Sequence, residues 1–336
     1  MELKNKIGID ELSYILWGII SEYLFYEENL KVSLINKALN QIIIKDIEIS
    51  STIPILHYFK ADLSSIEIHY LQRNANFTFK IRNLKVKDGE VIHSPRIEGF
   101  DSVQVGHQIF LSGGTNVERE YLKTTLEFGL GSKMLHEKSE MEIGKYFHYL
   151  LCLNKSKVYS LCGLGENGLL NECEEYSVRE DKWIGFYKTN ERKCSISGSQ
   201  FKQRYLFIFG GENAFSVKYI QTIEKIDLQS NIGWLVVELL QNEGWKENAF
   251  SSAIQIAGDA ILVFGGEDAF KTQLHVFEFY PDFLSIRKLE NEALDSPYYN
   301  AKPLYFDDSV YTYIDHSRSI MKYHCHHHSW SSVSVE

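Results

Sequence analysis

Proline is scarce in this chain, five residues in 336, and the sequence holds no run of basic residues, no Cys-x-x-Cys pair and no long apolar stretch. Each shortage excludes something. Without clustered Lys and Arg, and with a formal net charge of −10, a phosphate-backbone partner is not expected, because nucleic-acid binding needs cations that release counterions. Five cysteines with no paired spacing (Cys152, Cys162, Cys173, Cys194, Cys325) indicate neither a zinc ribbon nor a disulfide framework, which suits a reducing compartment. The run "ILWGII" near the N-terminus, with Asp10, Glu11 and Glu22 beside it, is too short for a membrane span and too acidic for a signal peptide. A cytoplasmic protein is expected, nuclear or cytoskeleton-associated placement being the variants, with no membrane partner. No P-loop, GxSxG, HExxH or dinucleotide fingerprint occurs, so neither an enzyme nor a cofactor is expected.

What is present is aromatic and repetitive. Twenty tyrosines and twenty phenylalanines favour strands, because flat rings pack well on a pleated surface. "YLFIFGGENAF" at 205–215 returns as "AILVFGGEDAF" at 260–270. "QIFLSGG" ends at Gly114, and a degenerate copy, "KVYSLCG", ends at Gly163. The ends of these four runs are 49, 48 and 55 residues apart. The same ruler reaches "SVYTYID" at Asp315 and "SIEIHYL" at Leu71, giving six units. A second mark keeps the register: an aromatic or aliphatic residue, then a large apolar one seven or eight positions on. The pairs are Phe79 and Val86, Phe128 and Leu135, Tyr176 and Trp183, Ile226 and Trp234, Phe279 and Ile286, Tyr323 and Trp330.

A period near 50 with four short strands per unit and a diglycine after the second resembles the kelch motif. The resemblance implies an all-β fold, a six-bladed kelch-type β-propeller over residues 51–336, preceded by a short α-helical segment over 1–50. The physical account agrees: one four-stranded sheet cannot bury both its faces alone, so units pack radially. The second strand is then covered on both faces and reads apolar throughout. The glycines end it where a Cβ would obstruct. An irregular sandwich with accidental glycine echoes is the competing architecture.

Before the repeat the period becomes helical, with Leu12, Ile15, Leu16, Ile19, Ile20, Tyr23 and Leu24, then Leu30, Leu34, Ile35, Ala38, Leu39 and Ile42. The segment "DELSYILWGIISEYLFYEENLKVSLINKALNQII" (10–43) looks like an F-box. It departs from that pattern in having Ile9 where a proline is usual. The resemblance implies that Leu12, Ile19, Ile20, Leu24, Leu30, Leu34 and Ile35 bind the adaptor subunit of a cullin-type ubiquitin ligase, while the propeller selects a protein substrate. A helical cap or a docking helix on a structural or cytoskeletal scaffold is the alternative reading.

In an antiparallel blade, the connection from second to third strand and the connection to the next blade emerge on one face, where binding residues concentrate. That places Arg96, Arg119, Glu166, Asn167, Arg192, Glu212, Asn213, Phe215, Lys218, Tyr219, Trp245, Lys246, Glu267, Asp268, Phe270, Lys271, Tyr298 and Arg318 there. This Arg and aromatic mixture suits a protein partner. Trp245, with no counterpart in the repeat, is the expected anchor, and Glu212 and Glu267 are expected to accept hydrogen bonds from loop amides. "HCHHH" (324–328) invites a metal reading, but its place before Trp330 puts His326, His327 and His328 in a turn where neighbouring side chains diverge, so no metal is expected. Copper-radical oxidases share the kelch fold and are a remote alternative, since no local motif here gathers their Tyr, Cys and His.

Overall fold

The apolar runs that precede the diglycines are strands, and each sits inside an antiparallel sheet. The computed structural model describes residues 55–59, 65–71, 76–82, 85–86, 97–130, 132, 134–213, 219–257, 259–267, 276–289, 302–314 and 319–333; the expected N-terminal helices lie outside them. Among the described residues there is no helix, and so none long and apolar enough to cross a membrane.

A three-stranded sheet comes first, β1 (Ile55–Phe59), β2 (Ser65–Leu71) and β3 (Asn76–Arg82). Five blades follow. The first is formed by β4 (Lys85–Val86), β5 (Asp101–Val105), β6 (Gln108–Ser112), β7 (Thr125–Gly129) and β8 (Met134–Lys138). The next has β9 (Tyr149–Leu153) and β10 (Lys157–Leu161), a separate hairpin of β11 (Gly163–Gly165) and β12 (Gly168–Leu170), then β13 (Cys173–Ser177) and β14 (Lys182–Phe186). The third is β15 (Ser197–Phe201), β16 (Tyr205–Phe209), β17 (Ile223–Asp227) and β18 (Leu235–Val236). The fourth has β19 (Gln241–Glu243), β20 (Ser252–Ile256), β21 (Ala260–Phe264), β22 (Phe277–Tyr280) and β23 (Ser285–Lys288). The last is β24 (Leu304–Phe306), β25 (Ser309–Ile314), β26 (Ser319–His324) and β27 (Ser329–Val333).

Consecutive blades pack face against face, the arrangement of a β-propeller. Phe110 and Val105 meet Leu150, Tyr176 and Trp183; Leu151 and Leu161 meet Ile196, Ile208 and Trp234. Phe207 and Phe209 meet Ile261, Val263 and Phe279; Leu262 and Phe264 meet Val310 and Tyr323. The three-stranded sheet touches blades on both sides, with Ile66 and Ile68 in one cluster with Ile109 and Phe128, and β1 lying against β25. β16 and β21 are buried along nearly their whole length, as expected of a strand covered on both faces.

The second mark holds in register: Phe128 faces Leu135, Tyr176 faces Trp183, Phe279 faces Ile286 and Tyr323 faces Trp330. Lys225 faces Leu235, which sets Ile226 and Trp234 next in line. Val86 is the exception. Instead of pairing with Phe79, its strand β4 adds in parallel to β8 of the next blade, with Val86 opposite Leu135. β19 does the same on β23, with Asn242 opposite Ile286. Among the described residues, a fifth strand accompanies the blades whose mark is Leu135 or Ile286, and none accompanies those marked by Trp183, Trp234 or Trp330. Where the outer strand lacks an indole, the incoming chain covers the edge.

The diglycines stitch neighbouring blades together. The Gly114, Gly163 and Gly211 amides donate to the carbonyls of Lys145, Lys193 and Asn248, at 2.7, 2.9 and 2.8 Å, each acceptor lying just before the first strand of the next blade. A Cβ on the first glycine, Gly113 or Gly210, would sit 2.5 or 2.3 Å from the Lys145 or Asn248 carbonyl oxygen of the next blade, whereas the second glycine crowds the entry of its own blade. A Cβ on Gly266 would sit 2.4 Å from the Ala249 carbonyl oxygen, and the residue has φ +78°. In the degenerate copy the first glycine is replaced by Cys162, which is fully buried yet held at φ 55°.

Two of the stitching residues carry buried charge. Lys145 pairs with Glu174 at 2.9 Å, and Lys193 pairs with Glu224, all four side chains out of solvent. At the matching positions of the β5–β8 blade stand Ile97 and Leu126, part of an apolar cluster. One architectural position therefore accepts either an ion pair or two hydrocarbons, as the near balance of desolvation and attraction allows.

Two outcomes follow in urea unfolding. Gly266→Ala, which forces backbone to move, should lose more than about 3 kcal/mol, while Gly106→Ala, with φ +61° but nothing within 4 Å, should lose only about 1–2 kcal/mol. Lys145→Ile alone should cost roughly 3–5 kcal/mol by stranding Glu174, and adding Glu174→Leu should restore at least half of it.

Candidate binding face at the loop end of the blades

The two classes of connection named from the sequence are bonded to one another. Glu98 pairs with Thr115, Tyr146 with Leu164, Cys194 with Glu212, and Ala249 with Glu267, each an entry residue of a blade against the residue after its glycine turn. Each bridge ties the two loops of its own blade into one small surface.

A backbone staircase carries it across the blades. Phe147 N donates to Gly99 O at 3.0 Å, Ser195 N to Phe147 O at 3.1 Å, and Phe250 N to Ser195 O at 2.9 Å. All four residues hold positive φ, 64°, 51°, 53° and 59°. Three are not glycine, a strained choice that persists where surrounding bonds over-determine the turn. The phenylalanines converge: the Phe147 and Phe250 rings meet edge to face at 6.2 Å, with Tyr146 against Phe147. All three rings are half-buried. Burial, then Glu98 and Cys194, raises the Tyr146 hydroxyl above the usual tyrosine range, so these groups lie within electrostatic reach of one another.

Two carboxylates border this patch. The Tyr219 hydroxyl donates to Glu267 Oε1 at 2.6 Å, and Cys194 Sγ lies 3.9 Å from Glu212 Oε2. Their partners are thus a phenol and a thiol in place of the expected loop amides. Burial raises the Glu212 carboxyl above the ordinary range, and the neighbouring Glu267 adds to it. Among the described residues, neither acid forms an ion pair with a lysine or arginine.

Of the residues placed on this face from sequence, Arg119, Glu166, Asn167, Arg192 and Lys246 are exposed and Asn213 is half-buried. Arg96, Phe215, Lys218, Asp268, Phe270, Lys271, Tyr298 and Arg318 lie outside the described residues, as do Leu12, Ile19, Ile20, Leu24, Leu30, Leu34 and Ile35. Two expectations are corrected. Trp245 is 3% exposed, packed edge-on to Phe209 and Phe277, with Nε1 donating to the Gln221 carbonyl at 2.8 Å. It supplies between two blades the indole that Ile286 does not, so its lack of a repeat counterpart reflects delivery by the incoming chain beside β19. Tyr219 is likewise buried, its ring in the structure and only its hydroxyl spent on Glu267.

Along the inner strands a second polar group links distant blades. Lys302, just before β24, pairs with Asp101 of β5 at 2.8 Å, donates to the Leu150 carbonyl at 2.7 Å and lies over the Tyr149 ring. Asp101 also accepts from the Leu150 and Ser102 amides at 2.6 and 2.8 Å. Burial pushes its carboxyl up, with Lys302 opposing. His57 of β1 contacts Ser102 at 3.1 Å and is held down to about 4 by burial and then by Lys302. His148, also buried, contacts Ser112 at 3.1 Å and is held well below the usual histidine range by burial, then by Lys145 and Lys302.

The histidine run spreads out. His324 ends β26 and contacts Ser331, His326 points to Asp308 at 3.5 Å, and His328 contacts the Tyr323 hydroxyl at 3.1 Å. Among the described residues, no group of three His, Cys, Asp or Glu could hold a metal ion.

A neutral buried histidine costs stability in acid. The unfolded chain takes up a proton near pH 6.5 while folded His148 and His57 do not, so stability present at neutral pH is lost as pH falls below that value. Between pH 7.5 and 5.5 each should contribute a loss of about 1.4 kcal/mol. Urea titrations of His148→Gln should show about half the wild-type slope; an unchanged slope would contradict the assignment.

Compared with known families and curated proteins, the chain finds no match: no family model fits it and no curated sequence resembles it closely enough to report.

Proposed function

We propose that the three-stranded β1–β3 sheet is the sixth blade of a kelch-type propeller and that the protein works as a protein-interaction module. Support for the sixth blade comes from its contacts with blades on both sides, β5 and β25. The interaction reading is carried by one observation: loops of four successive blades are hydrogen-bonded into a single surface with half-exposed aromatic rings at its centre. A partner can use rings already held by neighbours at little ordering cost.

The F-box-like segment extends this reading to a substrate receptor of a cullin-type ubiquitin ligase, acting in the cytoplasm: residues 10–43 hold the adaptor and the propeller face holds the protein to be modified. The second reading, a kelch scaffold whose leading helices dock elsewhere, shares the face and differs only in the first fifty residues. A pull-down of the adaptor subunit by the full chain separates them. Binding lost in Leu30→Asp and Ile35→Asp is expected, and no binding by the wild-type chain would leave the scaffold.

A further inference from the structure

Resting on the protein-binding face just proposed, we infer that its aromatic centre is a seat for an arginine side chain carried by an extended segment of a partner protein. Three features converge. The Phe147 and Phe250 rings are half-buried and edge to face, so each keeps part of its surface open to solvent. A guanidinium stacks on such faces more readily than an ammonium, being planar and weakly hydrated.

The second feature is charge. Glu267 is 8% exposed, opposite Ala249 and so beside Phe250; Glu212 is opposite Cys194, beside Ser195, the residue that receives the Phe250 amide. Two carboxylates brought this near repel, which is part of why the Glu212 carboxyl is raised. Buried charges are ordinarily paired, and the buried acids Glu174 and Glu224 of this chain are paired with lysines. Among the described residues, Glu212 and Glu267 have a thiol and a phenol, groups that donate hydrogen bonds without supplying positive charge.

Third, among the described residues Tyr219 engages one oxygen of Glu267, leaving the other to accept, and Glu212 is held by a weak sulfur contact. A guanidinium carries five donors in a fixed fork and can meet two separate carboxylates at once while lying against a ring. A lysine would meet them as a point charge, and an acidic segment would be repelled. The chain's net charge of −10 acts in the same direction at longer range.

The test uses the full chain and fluorescein-labelled decapeptide pools with identical degenerate flanks and one fixed central residue, arginine, citrulline, lysine, glutamate or leucine. Citrulline keeps the shape and removes the charge. The arginine pool should bind about tenfold more tightly than the citrulline pool, with lysine between, and the preference should shrink as salt is raised. Glu212→Gln and Glu267→Gln, each retaining a hydrogen-bond acceptor, should abolish the preference while leaving the melting curve in place, and Phe250→Ala should weaken every pool. Equal binding of arginine and citrulline, or a preference that survives both Gln substitutions, overturns the arginine seat yet leaves the face standing if Phe250→Ala still weakens binding. Binding by no pool overturns the seat and the face together.

Discussion

The structure depends on backbone from one blade approaching backbone of the next at the point where the second strand ends. There the amide of the last glycine reaches the carbonyl at the entry of the following blade, and the glycine before it, Gly113 or Gly210, approaches that same carbonyl too closely for a Cβ. A sheet edge-stitched in this way cannot slide against its neighbour, so the faces between blades pack as apolar layers and register is kept from one to the next. Where the stitch falls on a lysine, its side chain is drawn inward and needs a carboxylate; at the matching entry position of the β5–β8 blade, where Ile97 stands, hydrocarbon suffices.

The same constraint builds the candidate binding face. Because entry residues are pinned to the glycine turns, the next residue in each entry must turn sharply, and Phe147, Ser195 and Phe250 adopt left-handed backbone. That strain orients two phenylalanine rings toward one another and sets Glu212 and Glu267 beside them. Architecture and candidate site are thus consequences of one stitch, while the Lys302–Asp101 pair ties the entry of the final blade to the inner strand of an early one.

Much of the fold was legible because its signal is local and repeated. The apolar runs before the glycines, the facing pairs such as Tyr176 with Trp183, and the histidine turn all sit where the spacing put them. The site was less so. Trp245 read as an exposed anchor because it breaks the repeat, yet it breaks the repeat to fill a core position from a different strand. The staircase residues are Gly, Phe, Ser and Phe, sharing a backbone conformation but no side-chain type, so nothing in their spelling announces them. Val86 matched the pattern of an outer strand and is one, but of the neighbouring blade, since periodicity specifies a strand and leaves its partner open.

Sequence alone determined the strand content, the period and the need for tight backbone at each glycine pair, because these follow from side-chain size and alternation within a few residues. Only the tertiary structure decided which edge the incoming chain covers, which charged residues are buried in pairs, and that two acids 55 positions apart and two phenylalanines 103 positions apart share one patch. Those outcomes depend on the distance between blades, and no residue taken with its chain neighbours contains that distance.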